Sequence, residues 1–294
     1  MTEPIDIIIP WVNPNDETWR KDFLYWKERE TGDKQDGRFR DCNTLKYVLR
    51  SIDENCPWCR YVFLVLSGPS QIPSWLNVNC QKLKIVYHKD YIPAEYLPTF
   101  NTNVIEIFYS NIKELSENFI LCNDDTFFCQ KKESSFYFKD GLPLYKLNRI
   151  NGFGTDLHQT QLKNSKNVAS EIAGADVNAY STFHLPVQFI KSVNAFCLYK
   201  IGDKMKSYLG TSKFRTYNDI LQNMFYYVTI ALHKFKETNE NKGMFYYFNN
   251  KKNKFNMNFP MVCLNESGDV DNEDIAFLEE QLKNKFKKKS NFEF

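Results

Sequence analysis

The chain has 294 residues, of which 43% are hydrophobic and 16% aromatic, enough for one large core or two unequal lobes. Its 38 basic and 36 acidic side chains nearly cancel to a net charge of +2, so the composition does not favour nucleic acid as a partner. The N-terminus lacks a signal-peptide pattern, and no apolar run is long enough to cross a bilayer. We therefore expect a cytoplasmic protein without a transmembrane segment, and a secreted fragment whose signal has been removed is the alternative.

Four short apolar segments in the first half of the chain have the composition of buried strands. They cover residues 5–10, 61–66, 83–88 and 119–122. Helical patterns are interleaved with them, at residues 18–30, 43–55 and 102–112. This alternation predicts an α/β layer around a mostly parallel sheet.

The pattern changes near residue 150. Residues 152–178 are polar and predict a loop-rich segment, whereas residues 214–236 and 271–289 predict helices. We therefore divide the chain into an α/β core, residues 1–150, and a helical and loop portion, residues 151–294, that completes and closes the core. We expect the two parts to form one compact unit.

Four lysines follow one another closely at the end of the last predicted helix. They are Lys285, Lys287, Lys288 and Lys289. Positive charge at a helix C-terminus complements the helix dipole, which is the simpler interpretation. The same lysines could contact the anionic inner face of a membrane, which is the alternative.

Polar clusters follow the predicted strands, and in parallel sheets ligands bind beyond the carboxyl ends of the strands. One cluster, Asn123-Asp124-Asp125, comes directly after the segment 119–122. Two adjacent carboxylates can hold Mg²⁺ or Mn²⁺, which screens the charge of a bound diphosphate. The same residues are good turn formers, so a plain turn is the alternative.

Arginines surround the start of the second predicted helix. Arg38 and Arg40 precede Asp41, a candidate helix cap, and Arg50 lies further along. Guanidinium groups near a helix N-terminus match the geometry of phosphate. Solvated charge on a loop is the alternative.

Three segments of the second half carry groups suited to transfer chemistry. His184 is a candidate general base because imidazole titrates near neutral pH, although a lone histidine is more often structural. Arg215 is a candidate for stabilising charge at a phosphorus centre. Asn265 and Glu266 end an apolar segment with oxygen atoms that could complete a metal shell.

Cys56 and Cys59 form a C-x-x-C pair around Pro57-Trp58. A redox pair or half of a zinc site would have this spacing, but no second pair follows to complete a zinc site. We interpret the spacing as incidental and expect free thiols.

Four stretches in a fixed order carry a resemblance to a known family. They are residues 5–13, residues 38–125, His184-Leu185-Pro186 with residues 215–227, and Cys263-Leu264-Asn265-Glu266. Together they span almost the whole chain. They resemble the Stealth family, which includes bacterial capsular polysaccharide phosphotransferases and the catalytic subunit of the lysosomal-enzyme N-acetylglucosamine-1-phosphotransferase.

The chain departs from the family pattern at two places. Leu66-Ser67-Gly68-Pro69 stands where the family commonly has Thr-Asp-Gly-Gln, so an acidic group expected near the donor is missing. Asn265-Glu266 stands where the family often has Asn-Asp, so the longer carboxylate would reach a metal differently or through water.

The resemblance implies a GT-A-like α/β fold, a mostly parallel sheet flanked by helices with an added helical C-terminal portion. It also implies transfer of a hexose 1-phosphate from a nucleotide-diphospho-sugar to a glycan hydroxyl, with release of a nucleoside monophosphate. The first expectation for the donor is a UDP-hexose such as UDP-N-acetylglucosamine, and the second is GDP-mannose. An ordinary glycosyltransferase that releases nucleoside diphosphate and a non-catalytic glycan- or nucleotide-binding module are the alternatives.

The same resemblance implies roles for individual residues. Arg215 would bind the transferring phosphoryl group, and His184 would accept the acceptor proton, with a carboxylate of the 123–125 segment as the second candidate base. Mg²⁺ or Mn²⁺ would be held by Asp124, Asp125, Asn265 and Glu266. Substrate-binding roles are implied for Trp11, Asn13, Arg38, Arg40, Asp41, Arg50, Asn101, Asn103 and Glu106.

Overall fold

The computed structural model describes residues 3–210, 212–249, 253–267 and 270–294. Its strands are β1 (Ile5–Pro10), β2 (Cys59–Leu66), β3 (Leu83–Tyr87), β4 (Asn118–Leu121), β5 (Thr126–Phe128), β6 (Phe138–Lys139), β7 (Leu142–Tyr145), β8 (Val187–Ile190), β9 (Lys236–Glu237), β10 (Gly243–Phe248) and β11 (Met261–Glu266). Its α-helices are α1 (Glu17–Lys27), α2 (Leu45–Asn55), α3 (Thr102–Ile107), α4 (Leu157–Ala173), α5 (Lys191–Ile201), α6 (Met205–Leu209), α7 (Asn223–Ala231) and α8 (Asn272–Lys285).

A central sheet has the strand order β3-β2-β1-β4-β8. Strands β1 to β4 are parallel to their neighbours, and β8 runs antiparallel to β4 at one edge. The fold is therefore a mixed, mostly parallel sheet flanked by helices, which confirms the predicted class. Strand β8 comes from beyond residue 150, so the second part of the chain completes the sheet of the first.

Strand β1 shows why the sheet lies in the middle of the molecule. Ile7 and Ile9 pack into one hydrophobic cluster with α2 and α8, whereas Ile8 packs into another with α4, α5 and α7. Successive side chains of a strand point to opposite faces, so an unbroken apolar run is buried on both sides. The isoleucine run thus predicts a central strand with helices on both faces.

A second sheet, of order β10-β11-β5, brings the end of the chain next to the acidic turn after β4. Strand β11 is antiparallel to β5, and the amide of Leu264 donates to the carbonyl of Asp125 at 2.9 Å. Asn265 is therefore placed beside Asp125 by backbone pairing. A third, small sheet joins β6, β7 and β9.

The prediction of a loop-rich segment at residues 152–178 is wrong, because α4 occupies most of it. Asp156 caps this helix, and Gly174 ends it in the left-handed conformation with φ of 69°. The helix carries polar side chains on its buried face, and these donate hydrogen bonds to backbone carbonyls just after Arg215. Gln161 Nε2 donates to the carbonyl of Thr216 at 2.8 Å, for example.

Other predicted elements are present but shorter or shifted at their ends. The helix predicted at residues 214–236 is confined to α7, because residues before it are held in a turn that side-chain hydrogen bonds stabilise. The helix predicted at residues 102–112 ends at Ile107 and continues as a 3₁₀ turn. The terminal helix ends at Lys285. Within the described residues, no helix has the length and apolar content needed to cross a bilayer.

Candidate active site

A cavity of about 1150 Å³ opens beyond the carboxyl ends of the parallel strands. Trp11 follows β1, Ser67 follows β2, His88 follows β3 and Asn123 follows β4, and all four line this cavity. The expectation that polar clusters after the strands share one pocket is therefore confirmed.

Eleven of the sequence-predicted site residues line this cavity. They are Trp11, Arg38, Arg40, Asn103, Glu106, Asp124, Asp125, His184, Arg215, Asn265 and Glu266. The sequence interpretation requires that residues 124–125, 184, 215 and 265 meet at one edge of the sheet. The structure brings them together there, and the role of each remains a prediction.

The turn after β4 carries oxygen atoms suited to a divalent cation. Oδ1 of Asp125 and Oδ1 of Asn123 are both buried, and neither has a hydrogen-bond partner among the described residues. Burial raises the pKa of Asp124 well above its ordinary value, and the nearby charges of Asp125 and Asp41 raise it further. Unpartnered oxygens and crowded carboxylates are what a bound Mg²⁺ or Mn²⁺ would satisfy, so these residues fit such an ion.

The second oxygen of Asp125 is engaged by its neighbours. Asn265 Nδ2 donates to Oδ2 at 2.8 Å. Asp125, His184 and Cys263 also offer potential metal-ligand atoms that lie within 4.8 Å of one another. Because Mg²⁺ and Mn²⁺ prefer oxygen to imidazole or thiol, we expect them to use Asp125 and to leave His184 available.

Arg40 and Glu266 are paired with each other. Arg40 Nη1 lies 2.6 Å from Glu266 Oε1 and 3.0 Å from the carbonyl of Val270. The phosphate contact predicted for Arg40 and the metal contact predicted for Glu266 would both require this ion pair to open. Asp124, Asp125 and Asn265 therefore form the more accessible part of the predicted metal set.

His184 stands at the edge of the acidic turn on an unusual backbone. Its Nε2 lies 3.3 Å from Asn123 Nδ2 and 3.7 Å from Asp125 Oδ2, and its side chain is 44% exposed. Phe183 and His184 both adopt positive φ, 54° and 53°, which is uncommon for residues other than glycine. Strain of this kind concentrates at functional sites, and here it aims the imidazole at the cavity.

Arg215 has no side-chain hydrogen bond or ion pair with any residue that the structure describes. Its backbone carbonyl accepts from the amide of Asp33 at 2.9 Å. Burial lowers the pKa of its guanidinium, and the neighbouring charge of Arg38 lowers it further. A poorly solvated cation without a partner at a cavity wall is suited to an anionic ligand.

Asp219, which sequence reasoning missed, anchors the Arg215 segment. Its carboxylate is fully buried and accepts from Asn101 Nδ2 at 2.6 Å, Asn103 Nδ2 at 3.0 Å and Thr216 Oγ1 at 2.7 Å. These bonds tie the turn after Arg215 to the start of α3, which carries Glu106. Nothing in the local sequence distinguishes Asp219, because its two asparagine partners lie more than 100 residues away.

We expect Asp219→Ala to lower the free energy of unfolding by about 3 kcal/mol, because it leaves two buried amide side chains without their acceptor. Urea unfolding measures the loss. Asn218→Ala, an exposed neighbour in the same turn, is the matched control and should change little. Equal stabilities for the two variants would contradict the anchoring role.

Glu106 is a buried carboxyl group at the cavity wall, only 6% exposed. Burial raises its pKa from 4.5 to about 7, and Arg215 acts in the opposite direction. At a pH between 4.5 and about 7, Glu106 is protonated in the native protein but has lost its proton in the unfolded chain. Wild-type stability should therefore fall as the pH rises through this window.

We expect Glu106→Gln to remove this pH dependence. Relative to the wild type, the variant should gain about 3 kcal/mol of unfolding free energy between pH 5 and pH 8. Urea unfolding at both pH values measures the difference, with exposed Glu54→Gln as control. If the difference in stability between Glu106→Gln and the wild type is the same at pH 5 and at pH 8, Glu106 does not hold a proton in the native protein.

Four predicted substrate-binding residues do not line the cavity. Arg50 instead pairs with Glu293, with Nη2 to Oε2 at 2.7 Å, on α2, of which no residue lines the cavity. Asn101 caps α3 and bonds to Asp219. Asn13 and Asp41 stabilise local turns. The Oδ1 atom of each accepts a hydrogen bond from the backbone amide of the residue two positions later in the chain. These contacts hold the four residues within the scaffold, and their substrate-binding roles remain predictions.

Two further histidines line the cavity. His158 lies in the first turn of α4, and its pKa is lowered by burial and by the charges of His184 and Arg215. Burial lowers the pKa of His88 to about 4, so this side chain is neutral at physiological pH. His88 belongs to the polar cluster expected after the third strand, whereas His158 was not anticipated, because its helix was predicted as loop.

Residues 38–144 match the family model described as "Stealth protein CR2, conserved region 2". The chain is 29% identical to a capsular polysaccharide phosphotransferase, WcwK of Streptococcus pneumoniae, over 100% of both chains. It is 31% identical to the capsular polysaccharide phosphotransferase fcs1 of Haemophilus influenzae, over 84% of this chain and 70% of that protein. It is 38% identical to the exopolysaccharide phosphotransferase cps2G of Lactiplantibacillus plantarum, over 47% of this chain and 41% of that protein.

Among solved structures, the chain is similar to the galactosyltransferase LgtC in complex with donor and acceptor sugar analogues. The TM-score is 0.42 at 11% sequence identity, over 96% of this chain and 95% of that one.

Proposed function

The chain belongs to the Stealth family, and from this membership we propose that it is a transferase that moves a hexose 1-phosphate from a nucleotide-diphospho-sugar to a hydroxyl group of a capsule or exopolysaccharide glycan. The observation that carries the proposal is the single cavity at the strand ends. It combines the acidic turn at Asp124 and Asp125, the exposed imidazole of His184 and the unpartnered guanidinium of Arg215.

The proposed reaction follows from these groups. The acceptor oxygen attacks the phosphorus attached to the sugar, and its proton passes to Nε2 of His184. The bond between that phosphorus and the bridging oxygen of the diphosphate breaks. The leaving group is a nucleoside monophosphate, and the product is a phosphodiester. A carboxylate oxygen of Asp125, 3.7 Å from Nε2 of His184, is the second candidate acceptor of the proton.

Each wall of the cavity contributes to binding the donor. Arg215 binds the transferring phosphoryl group, where its guanidinium offsets charge on the non-bridging oxygens. A Mg²⁺ or Mn²⁺ ion held by Asp124 and Asp125, with Asn265 beside them, would neutralise the diphosphate. Trp11, buried beyond β1, and Arg38, half exposed, line the part of the cavity left for the nucleotide.

We infer a UDP-hexose as donor, with UDP-N-acetylglucosamine first and GDP-mannose second. We propose that the acceptor is a glycan on its way to the cell surface and that the enzyme acts in the cytoplasm, with contact to the inner face of the membrane. Exposed lysines after α8 support peripheral contact with anionic lipid there, namely Lys287, Lys288 and Lys289.

The released nucleotide tests the proposal. The purified protein is incubated with UDP-N-acetylglucosamine or GDP-mannose, Mg²⁺ and a panel of methyl glycosides, and the nucleotide products are separated by ion-exchange chromatography. We expect nucleoside monophosphate, formed only with the metal present. Nucleoside diphosphate would instead show a glycosyltransferase. Donor binding by thermal shift without any nucleotide release would show a non-catalytic binding module.

A further inference from the structure

A second cavity, of about 300 Å³, lies against the loop that carries His184. The two cavities share one wall. It is formed by Ser181, Thr182, Phe183, Leu185, Val187 and Phe245. The two cavities therefore adjoin at the residues on either side of His184, and His184 itself lines the larger one.

The smaller cavity is poorly suited to a phosphate or a metal ion. Its lining contains no carboxylate and no arginine. The ammonium group of Lys242 is already engaged, because it donates to the carbonyl of Phe136 and lies 3.9 Å from the centre of that ring. The other cation, Lys146, is an exposed residue at the surface. A neutral ligand fits this lining better than an anion.

One polar group in the lining lacks a partner. Gln188 is 5% exposed, and its Nε2 is buried without a hydrogen-bond acceptor among the described residues. Its backbone carbonyl accepts from Tyr145 OH at 2.6 Å, so the residue is held in place by bonds that do not use its amide group. A buried, fixed and unused donor is the kind of group that selects a ligand oxygen.

Aromatic rings stand at the shared wall, where Phe183 and Phe245 line both cavities and Tyr247 lines the larger one. Phe183 is 51% exposed and Tyr247 61% exposed. The ring of Phe245 lies 4.7 Å from that of Tyr247 and 6.0 Å from that of His184. Exposed aromatic faces beside a polar site suit the apolar faces of a sugar ring, which also carries hydroxyl groups.

We propose that the smaller cavity and its aromatic wall form the acceptor subsite, which binds a neutral pyranose ring of the glycan. The donor's diphosphate lies at Arg215 and the acidic turn, the uncharged sugar lies at Phe183 and Gln188, and His184 stands between them. This inference rests on the proposed function, since it assigns the acceptor of that reaction to one place.

Saturation-transfer difference NMR without donor tests the subsite. The probes are the methyl pyranosides of glucose, galactose and N-acetylglucosamine. We expect at least one to bind the wild type and to bind Phe183→Ala and Gln188→Leu about tenfold more weakly. Tyr199→Ala is the matched control, because Tyr199 is 82% exposed and lines neither cavity. Thermal unfolding checks that each variant is folded.

The experiment tests the acceptor subsite independently of the proposed reaction. No binding by any probe, or equal binding to all variants, overturns the subsite even if the wild type releases nucleoside monophosphate. Weakened glycoside binding in the two variants, with no nucleotide release from the wild type, supports the subsite and overturns the proposed function. Donor-induced thermal shifts with Mg²⁺ should be the same in Gln188→Leu and the wild type, and a lost shift would contradict the separation of donor from acceptor.

Discussion

Replacing Arg215 by alanine should lower kcat about 100- to 1,000-fold, roughly 3–4 kcal/mol of transition-state stabilisation. The physical reason is that its guanidinium has no partner in the described part of the protein and faces the cavity in which the diphosphate would bind. Single-turnover release of nucleoside monophosphate, with saturating donor and Mg²⁺, measures the effect. Arg215→Lys keeps the positive charge but loses the planar guanidinium that can donate two parallel hydrogen bonds to a phosphate, so it should recover only part of the rate.

The stability of Arg215→Ala separates a functional role from a structural one. We expect its free energy of unfolding to stay close to that of the wild type, because the half-buried guanidinium makes no hydrogen bond or ion pair with the described residues, and the cost of its poor solvation is offset by the nearby charges of Glu106, Asp33 and Asp219. Arg20→Ala, an exposed arginine of α1, is the control for loss of a positive charge. Near-full turnover in Arg215→Ala would remove Arg215 from the mechanism.

Replacing Asp125 by asparagine should lower turnover about 100-fold or more and abolish its dependence on Mg²⁺. Asp125 carries a buried, unpartnered oxygen, and Asn265 and the backbone of Leu264 hold it in place. Electron paramagnetic resonance of Mn²⁺ gives a readout that does not depend on activity. We expect Mn²⁺ to bind the wild type more tightly than the variant, and more tightly when UDP-N-acetylglucosamine is present.

A matched surface substitution makes this second experiment decisive. Asp203 is an exposed acidic residue outside both cavities, and Asp203→Asn should leave metal binding and turnover unchanged. If Asp125→Asn and Asp203→Asn bind Mn²⁺ equally well, the acidic turn is not a metal site. The turn would then be only a connection between β4 and β5.

Much of the cavity could be anticipated from local patterns. The apolar run at residues 119–122 is short and is followed by turn-forming residues, which favours a buried strand over a helix, and the polar residues after it then stand at the strand's end. For this reason Asn123-Asp124-Asp125 could be placed at the rim of the sheet before any coordinates were known. Family resemblance added that His184 and Arg215 belong to the same site.

The pairing of charged side chains could not be anticipated in this way. Arg40 lies 226 residues from Glu266, and Arg50 lies 243 residues from Glu293. Both arginines looked equally suited to phosphate, yet only Arg40 lines the cavity. Which acid an arginine meets depends on how distant elements pack, and sequence spacing carries no information about it.

Local sequence patterns were sufficient to predict the class of the fold, the positions of the central strands along the chain and the rim at which ligands are expected, because the spacing of apolar residues and the polar residues after them are local properties. The helix α4, the anchoring of the Arg215 segment by Asp219 and the second cavity beside the His184 loop became apparent only in three dimensions. The first two depend on burying polar groups against partners far along the chain, and a buried hydrogen bond is favourable only when the fold brings both partners together. The cavity is lined by residues of β7, β8 and β10, which come from separate parts of the chain.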